Sequence, residues 1–340
     1  MGMRKTIKYL LLFLVILVSS CNTDSSVSDE IQFPSDTGNY IMFSSDVETR
    51  ATLINSMTGK NFHVIGFQYD NTTDWETAKA NTSPNLFKNT LVTYDGGIWE
   101  YEGDRKQWDF HSKYSFFAYY PQVGNGIDIS NMDAAGMPTI TYELPLTPVA
   151  PATTVDPSIF QDLMTASAID KEASGSSIVK FVFQHRLFCI DVAIQNYDNT
   201  EYTISDVSLT LDNIKYNKIT VPMQKNDNQT PVVKNERAGA VTFAFDDTTI
   251  GAKGSAVLTG NDNNILLIPQ DCTEEDEALT GSLNLKINGE TTGVGFSSNI
   301  DFIEGYKYTL KVSIIGGELS SAIGDARTWN IPVIINFEFE

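Results

Sequence analysis

The chain has 340 residues, 41% of them hydrophobic and 19% charged, a balance that suits about two globular domains. Its formal net charge of −20, from 23 Lys+Arg against 43 Asp+Glu, excludes the basic footprint that nucleic acid requires. Aromatic residues make up 11% of the chain, far too many for a disordered acidic tail.

Residues 1–20 read as an export signal. Arg4, Lys5 and Lys8 form a positive start with no acid among them. Residues 9–18 are apolar, but the run is well short of the ~20 residues that a membrane span needs. Ser19 and Ser20 are small, and Cys21 follows. Val18-Ser19-Ser20-Cys21 resembles the lipobox of bacterial lipoproteins, in which the thiol is acylated and becomes the first mature residue. Cys21 is thus the expected lipidation site, and acyl chains there would hold the protein at the outer membrane. The alternative is an ordinary secretory signal with an unrelated cysteine after it. Residues 22–30 are small, polar and acidic, as in a flexible tether.

From residue 40 onward the pattern is that of an all-β protein. Strands are expected at 40–44, 63–69, 114–120, 139–143, 179–195, 241–245, 256–259, 265–268 and 331–340. Tyr94-Asp95-Gly96-Gly97-Ile98-Trp99 places turn formers between two β-prone segments, which predicts a hairpin. Prolines gather between Pro138 and Pro157, as in a linker or a long edge loop. Residues 162–168 fit either a short strand or one helical turn. The apolar run 178–194 is long for one strand, and its parity changes near Gln184–Phe188, which predicts a bulge or bend. Val207, Leu209 and Leu211 alternate with polar neighbours. So do Leu283, Leu285 and Ile287, and then Tyr308, Leu310, Val312 and Ile314. That period of two marks strands with one buried face. Their spacing suggests two β-sandwiches, with domains expected at 51–197 and 198–340.

Few residues suggest chemistry. His63, His111 and His185 stand in no metal-binding spacing, and no G-x-S-x-G elbow is present. Gly124-Asn125-Gly126 is a weak phosphate signal, and the acids at 274–277 read as a solvated loop. Cys189 reads as a small buried hydrophobe, and spacing alone does not decide whether it pairs with Cys272. Trp75, Trp99 and Trp108 fit either core packing or a sugar platform. The second option supports an alternative reading, a non-polymerising surface lipoprotein that binds glycans. No catalytic residue, cofactor or metal is expected.

Two features resist a bland account. Arg50 closes the strand-like segment 40–44 and the polar loop that follows it, and an arginine in an exposed polar loop suits an arginine-specific protease. At the far end, Val333, Ile335, Phe337 and Phe339 alternate with other residues up to Glu340. Such a strand can complete its own sheet or pair with another molecule's open edge.

Several segments together resemble the fimbrillins of the Mfa-like/FimA-like family, lipoprotein subunits of type V pili. They are the lipobox at Cys21, Thr49-Arg50-Ala51, the hairpin segment 89–99, and Tyr114-Ser-Phe-Phe-Ala-Tyr-Tyr-Pro121. Asp162-Leu-Met-Thr-Ala166, Val179-Lys-Phe-Val-Phe-Gln-His185 and Gly305-Tyr-Lys-Tyr-Thr-Leu310 complete the set. The resemblance implies two transthyretin-like β-sandwich domains and no catalysis. It also implies a structural and adhesive role, with an arginine-specific protease cutting between Arg50 and Ala51. The propeptide 21–50 would leave with the first strand. The row Val333, Ile335, Phe337 and Phe339 would then fill the vacated groove of another subunit. Implied partners are other pilin subunits, the protease, the outer membrane and a host or bacterial surface ligand, but no nucleic acid.

Overall fold

A computed structural model describes residues 39–47, 57–95, 98–121, 126–145, 153–155, 160–173, 178–224, 233–235, 239–258, 265–272, 278–328 and 332–335. Among them are 23 strands and one helical turn, α1 Trp75–Ala78. The first strands are β1 Met42–Val47, β2 Phe62–Asp70, β3 Phe87–Asp95, β4 Ile98–Tyr101, β5 Ser112–Tyr120, β6 Ile127–Ser130, β7 Thr139–Glu143 and β8 Thr153–Val155. Next come β9 Met164–Glu172, β10 Ile178–His185, β11 Phe188–Asn196, β12 Tyr202–Ile214, β13 Lys218–Pro222, β14 Val233–Asn235, β15 Gly239–Phe245 and β16 Thr248–Ile250. The last are β17 Ser255–Val257, β18 Ile265–Leu267, β19 Leu279–Ile287, β20 Glu290–Ser298, β21 Tyr306–Ile315, β22 Glu318–Thr328 and β23 Pro332–Ile335.

These strands form four sheets. A seven-stranded sheet runs β1-β10-β9-β5-β2-β3-β4. One six-stranded sheet runs β17-β11-β21-β22-β23, with β18 also on β11, and the other runs β20-β19-β12-β15-β8, with β16 on β12. A four-stranded sheet, β14-β13-β7-β6, completes the set. The architecture is all-β and sandwich-like, as the alternation predicts.

The central strands of the seven-stranded sheet explain the unbroken apolar runs. On β5, Tyr114, Phe116 and Ala118 enter one core, while Phe117 and Tyr119 enter another. A strand buried on both faces needs apolar residues at every position, which is why Phe-Phe-Ala-Tyr-Tyr does not alternate. The larger core is continuous from Ile65 and Phe117 through Leu209, Leu283 and Val312, so strands from both halves of the chain share it. The smaller core lies on the opposite face and holds Phe43, Phe62, Phe87, Phe116 and Phe181.

The 94–99 segment forms the expected hairpin, with Tyr94 opposite Trp99 and Asp95 opposite Ile98. Residues 164–168 are strand, not helix, because β9 is hydrogen-bonded on both sides, to β5 and β10. The parity change near Gln184–Phe188 is a changeover between sheets: β10 ends at His185 in the seven-stranded sheet, and β11 starts at Phe188 beside β21. It falls upstream of the expected division at 197/198. The proline-rich stretch is also more than a linker. It carries β8, a short edge strand parallel to β15. β7 pairs with β13 as well, so the halves exchange strands.

Candidate functional site

The segment 39–47 is held at two places. Its start lies against the loop before β5. Trp108 N–H donates to Asn39 O at 2.9 Å, Asn39 Nδ2 donates to Trp108 O at 3.0 Å, and Ile41 N–H donates to Lys106 O at 2.8 Å. The Arg105 guanidinium sits 5.6 Å from the centre of the Tyr40 ring. Beyond this, β1 runs parallel to β10, from Met42 opposite Ile178 to Val47 opposite Phe183. Among the described residues it is an edge strand, with β10 as its one ladder partner.

One side chain fixes the strand. Phe43 is 1% exposed, and its ring lies 5.3 Å from Phe87, 5.7 Å from Tyr101, 5.7 Å from Phe116 and 5.5 Å from Phe181. Tyr101 belongs to β4, the opposite end of the same sheet in hydrogen-bond order. The sheet therefore rolls around the smaller core until its two edges nearly meet. A cavity of about 210 Å³ remains between them, lined by Ile41, Phe43, Trp99, Tyr101 and Arg105 among others. Burial raises the pKa of the Tyr101 hydroxyl, which accepts the Lys106 N–H at 2.8 Å.

The other end of the proposed machinery lies in a different sheet. Val333 stands opposite Ala326 and Ile335 opposite Gly324, so β23 edges the chain's own β22. Cys21, Arg50, Ala51, Phe337 and Phe339 lie outside the described residues, as do the expected signal and tether and the Gly124-Asn125 and 274–277 segments.

The three tryptophans singled out do not form a sugar platform. Trp75, Trp99 and Trp108 are 0%, 8% and 6% exposed and pack in the two cores, which removes the residues on which the glycan-binding alternative relied. Cys189 and Cys272 are buried and not joined in a disulfide, and burial pushes the Cys189 thiol up. Among the described residues no group of three or more His, Cys, Asp or Glu could hold a metal ion.

Sequence reasoning overlooked a buried polar cluster at the changeover between β10 and β11. His185 Nδ1 lies 2.5 Å from Asp162 Oδ2, and Arg186 Nε lies 3.3 Å from Glu304 Oε2. Arg186 is 1% exposed, and burial lowers its pKa while Glu304 opposes that. Lys307 and Asp191 form a further pair nearby in sequence. The available signal was a His-Arg pair interrupting an apolar run where its parity changes. These pairs tie the changeover from β10 to β11 to the segments before β9 and β21 and to β21 itself, and have the character of structural anchors.

The family model described as fimbrillin-like matches residues 49–325, most of the chain. The protein belongs to the fimbrillin-like family. Over 152 residues this fimbrillin-like chain is 31% identical to the fimbrium subunit Fim1C of Phocaeicola vulgatus, an alignment that takes in 42% of this chain and 39% of that relative. A crystal structure of a fimbrial protein from Bacteroides vulgatus superposes with a TM-score of 0.59 at 18% identity, covering 86% of this chain and all of the other. A candidate cell adhesion protein from Bacteroides ovatus superposes with a TM-score of 0.50 at 16% identity, covering 88% of this chain and 97% of the other. Both likenesses concern the fold.

Proposed function

We propose that this fimbrillin-like chain is a non-catalytic, structural and adhesive subunit of a surface fimbria, assembled by strand exchange. It is exported as a lipoprotein acylated at Cys21 and held at the outer membrane. An arginine-specific protease cuts between Arg50 and Ala51, and β1 leaves with the propeptide 21–50. The row Val333, Ile335, Phe337 and Phe339 of a neighbouring pilin subunit then fills the slot. The mature surface binds a host or bacterial ligand.

The observation that carries this reading is the seat of Phe43. An edge strand upstream of Arg50 plugs an aromatic core with one ring and, among the described residues, pairs with a single neighbour. Its loss would uncover both the ladder edge of β10 and the faces of Phe87, Tyr101, Phe116 and Phe181. Re-covering one such ring site is worth about 1.5–3 kcal/mol, before any main-chain hydrogen bonds are counted.

The test is arginine-specific proteolysis of the purified precursor, with N-terminal sequencing and electron microscopy of the products. A chain starting at Ala51 that forms fibres is expected. Arg50→Ala should abolish both, and removal of residues 331–340 should leave a cut, folded monomer. A wild-type chain that starts at Ala51 and stays monomeric would defeat the proposal.

A further inference from the structure

We propose that the position now held by Ser45 is a specificity subsite of the β1 slot, one that takes an apolar side chain from the entering strand of a second copy of this chain. The serine keeps the resident strand replaceable. The inference rests on the strand-exchange reading above and adds what makes the exchange run in one direction.

Among the inward positions of the resident strand are Ile41, Phe43 and Ser45. Ile41 is 0% and Phe43 1% exposed, and both lie in the smaller core. The ladder places Phe43 opposite Val179 and Ser45 opposite Phe181. In a parallel pair such partners share a face, so Ser45 stands on the aromatic side. Phe181 is part of a wall there, with its ring 5.9 Å from Phe62 and 6.2 Å from Phe183. Against this wall the Ser45 Oγ is buried and has no hydrogen-bond partner among the described residues. A hydroxyl taken from water without a partner destabilises the strand that carries it.

The entering segment lacks that defect. Val333, Ile335, Phe337 and Phe339 occupy every alternate position of its apolar row. Whichever of the four arrives opposite Phe181, in either strand direction, an apolar group replaces the dry hydroxyl. The main-chain bonds to β10 are similar for either occupant, so the side chain at this subsite separates them. The occupant is therefore a second copy's terminal strand rather than a rebinding propeptide.

The experiment uses the full chain with a specific protease site inserted between Arg50 and Ala51, so nicking does not depend on Arg50 being the native site. Retention of the N-terminal fragment is followed by size exclusion and mass spectrometry, and polymer growth by light scattering. Ser45→Val should hold the fragment about tenfold longer than wild type and slow growth by a similar factor, because it removes the unpaired hydroxyl. Ser45→Thr adds the same bulk and keeps the hydroxyl, so it should stay within about twofold of wild type. Ile335→Ser with Phe337→Ser should slow growth and leave fragment loss unchanged. Equal slowing by Val and Thr, or a Val variant that behaves as wild type, would overturn the subsite. A wild-type body that sheds its fragment and never grows would overturn the strand-exchange reading and the second copy as occupant. The Val–Thr contrast in fragment retention still decides the subsite in that case.

Discussion

Phe43 lies among four aromatic rings at centroid distances of 5.3 to 5.7 Å, in edge-on and stacked arrangements that suit ring quadrupoles. Truncating it removes a complete buried ring and leaves a cavity that packed neighbours only partly refill. Phe43→Ala should therefore destabilise the uncut precursor by about 3–5 kcal/mol, read as a lower denaturation midpoint with an unchanged slope. Ser45, two residues on, has the opposite character. It stands opposite Phe181, and its buried hydroxyl has no hydrogen-bond partner among the described residues. The sequence placed a strand at 40–44, and β1 itself runs from Met42 to Val47, into residues that read as polar loop. Nothing in the sequence showed that the inward row carries a hydroxyl opposite Phe181, because the partner strand lies more than a hundred residues away. Arg186 was opaque for a related reason. Its partner Glu304 comes from a distant loop, and only their joint burial shows that the guanidinium is an internal anchor.

At the scale of elements, hairpins and edges differ in how they are held. The β21–β22 hairpin turns at Gly316 and Gly317, with φ of 66° and 80°, a region that glycine adopts without Cβ strain. Asp198, just after β11, clasps this turn. Its carboxylate accepts both glycine N–H groups at 3.0 Å and the Tyr202 hydroxyl at 2.9 Å. The two N–H donors above all hold its pKa below the ordinary value. The folded chain thus binds that proton less tightly than the unfolded chain does. The stabilisation is complete above the unfolded value of ~3.9 and is lost as pH falls through the lowered one. Asp198→Asn should lower the melting temperature at pH 7, and the gap to wild type should close as the pH drops below that range. A gap that persists in acid would remove the carboxylate from this role. The 94–99 hairpin was legible because its pairing is local. The edges β1, β8 and β23 were not, since an edge strand is defined by the neighbour it lacks.

Across the whole molecule, the larger core joins residues from Ile65 to Ile314, and β7–β13 and β8–β15 pair one half of the chain with the other. Two independent domains would melt in two steps. Here neither half keeps its full ladder or its core alone, so the chain should unfold in one calorimetric transition, with equal van't Hoff and calorimetric enthalpies. A second transition would favour separable domains at 51–197 and 198–340. The sequence by itself determined the all-β class, most strand positions, the tight hairpin at 95–98 and the break near 184–188. It also carried the motifs by which the family is recognised. Each of these follows from the period of two and from turn chemistry, which act between residues close along the chain. Only the tertiary structure decided that β5 faces two cores, that the three tryptophans are buried, and that β1 and β4 curl together around Phe43. Those facts depend on which strands become neighbours. That choice is made by burial shared among segments far apart in sequence, and no local pattern encodes it.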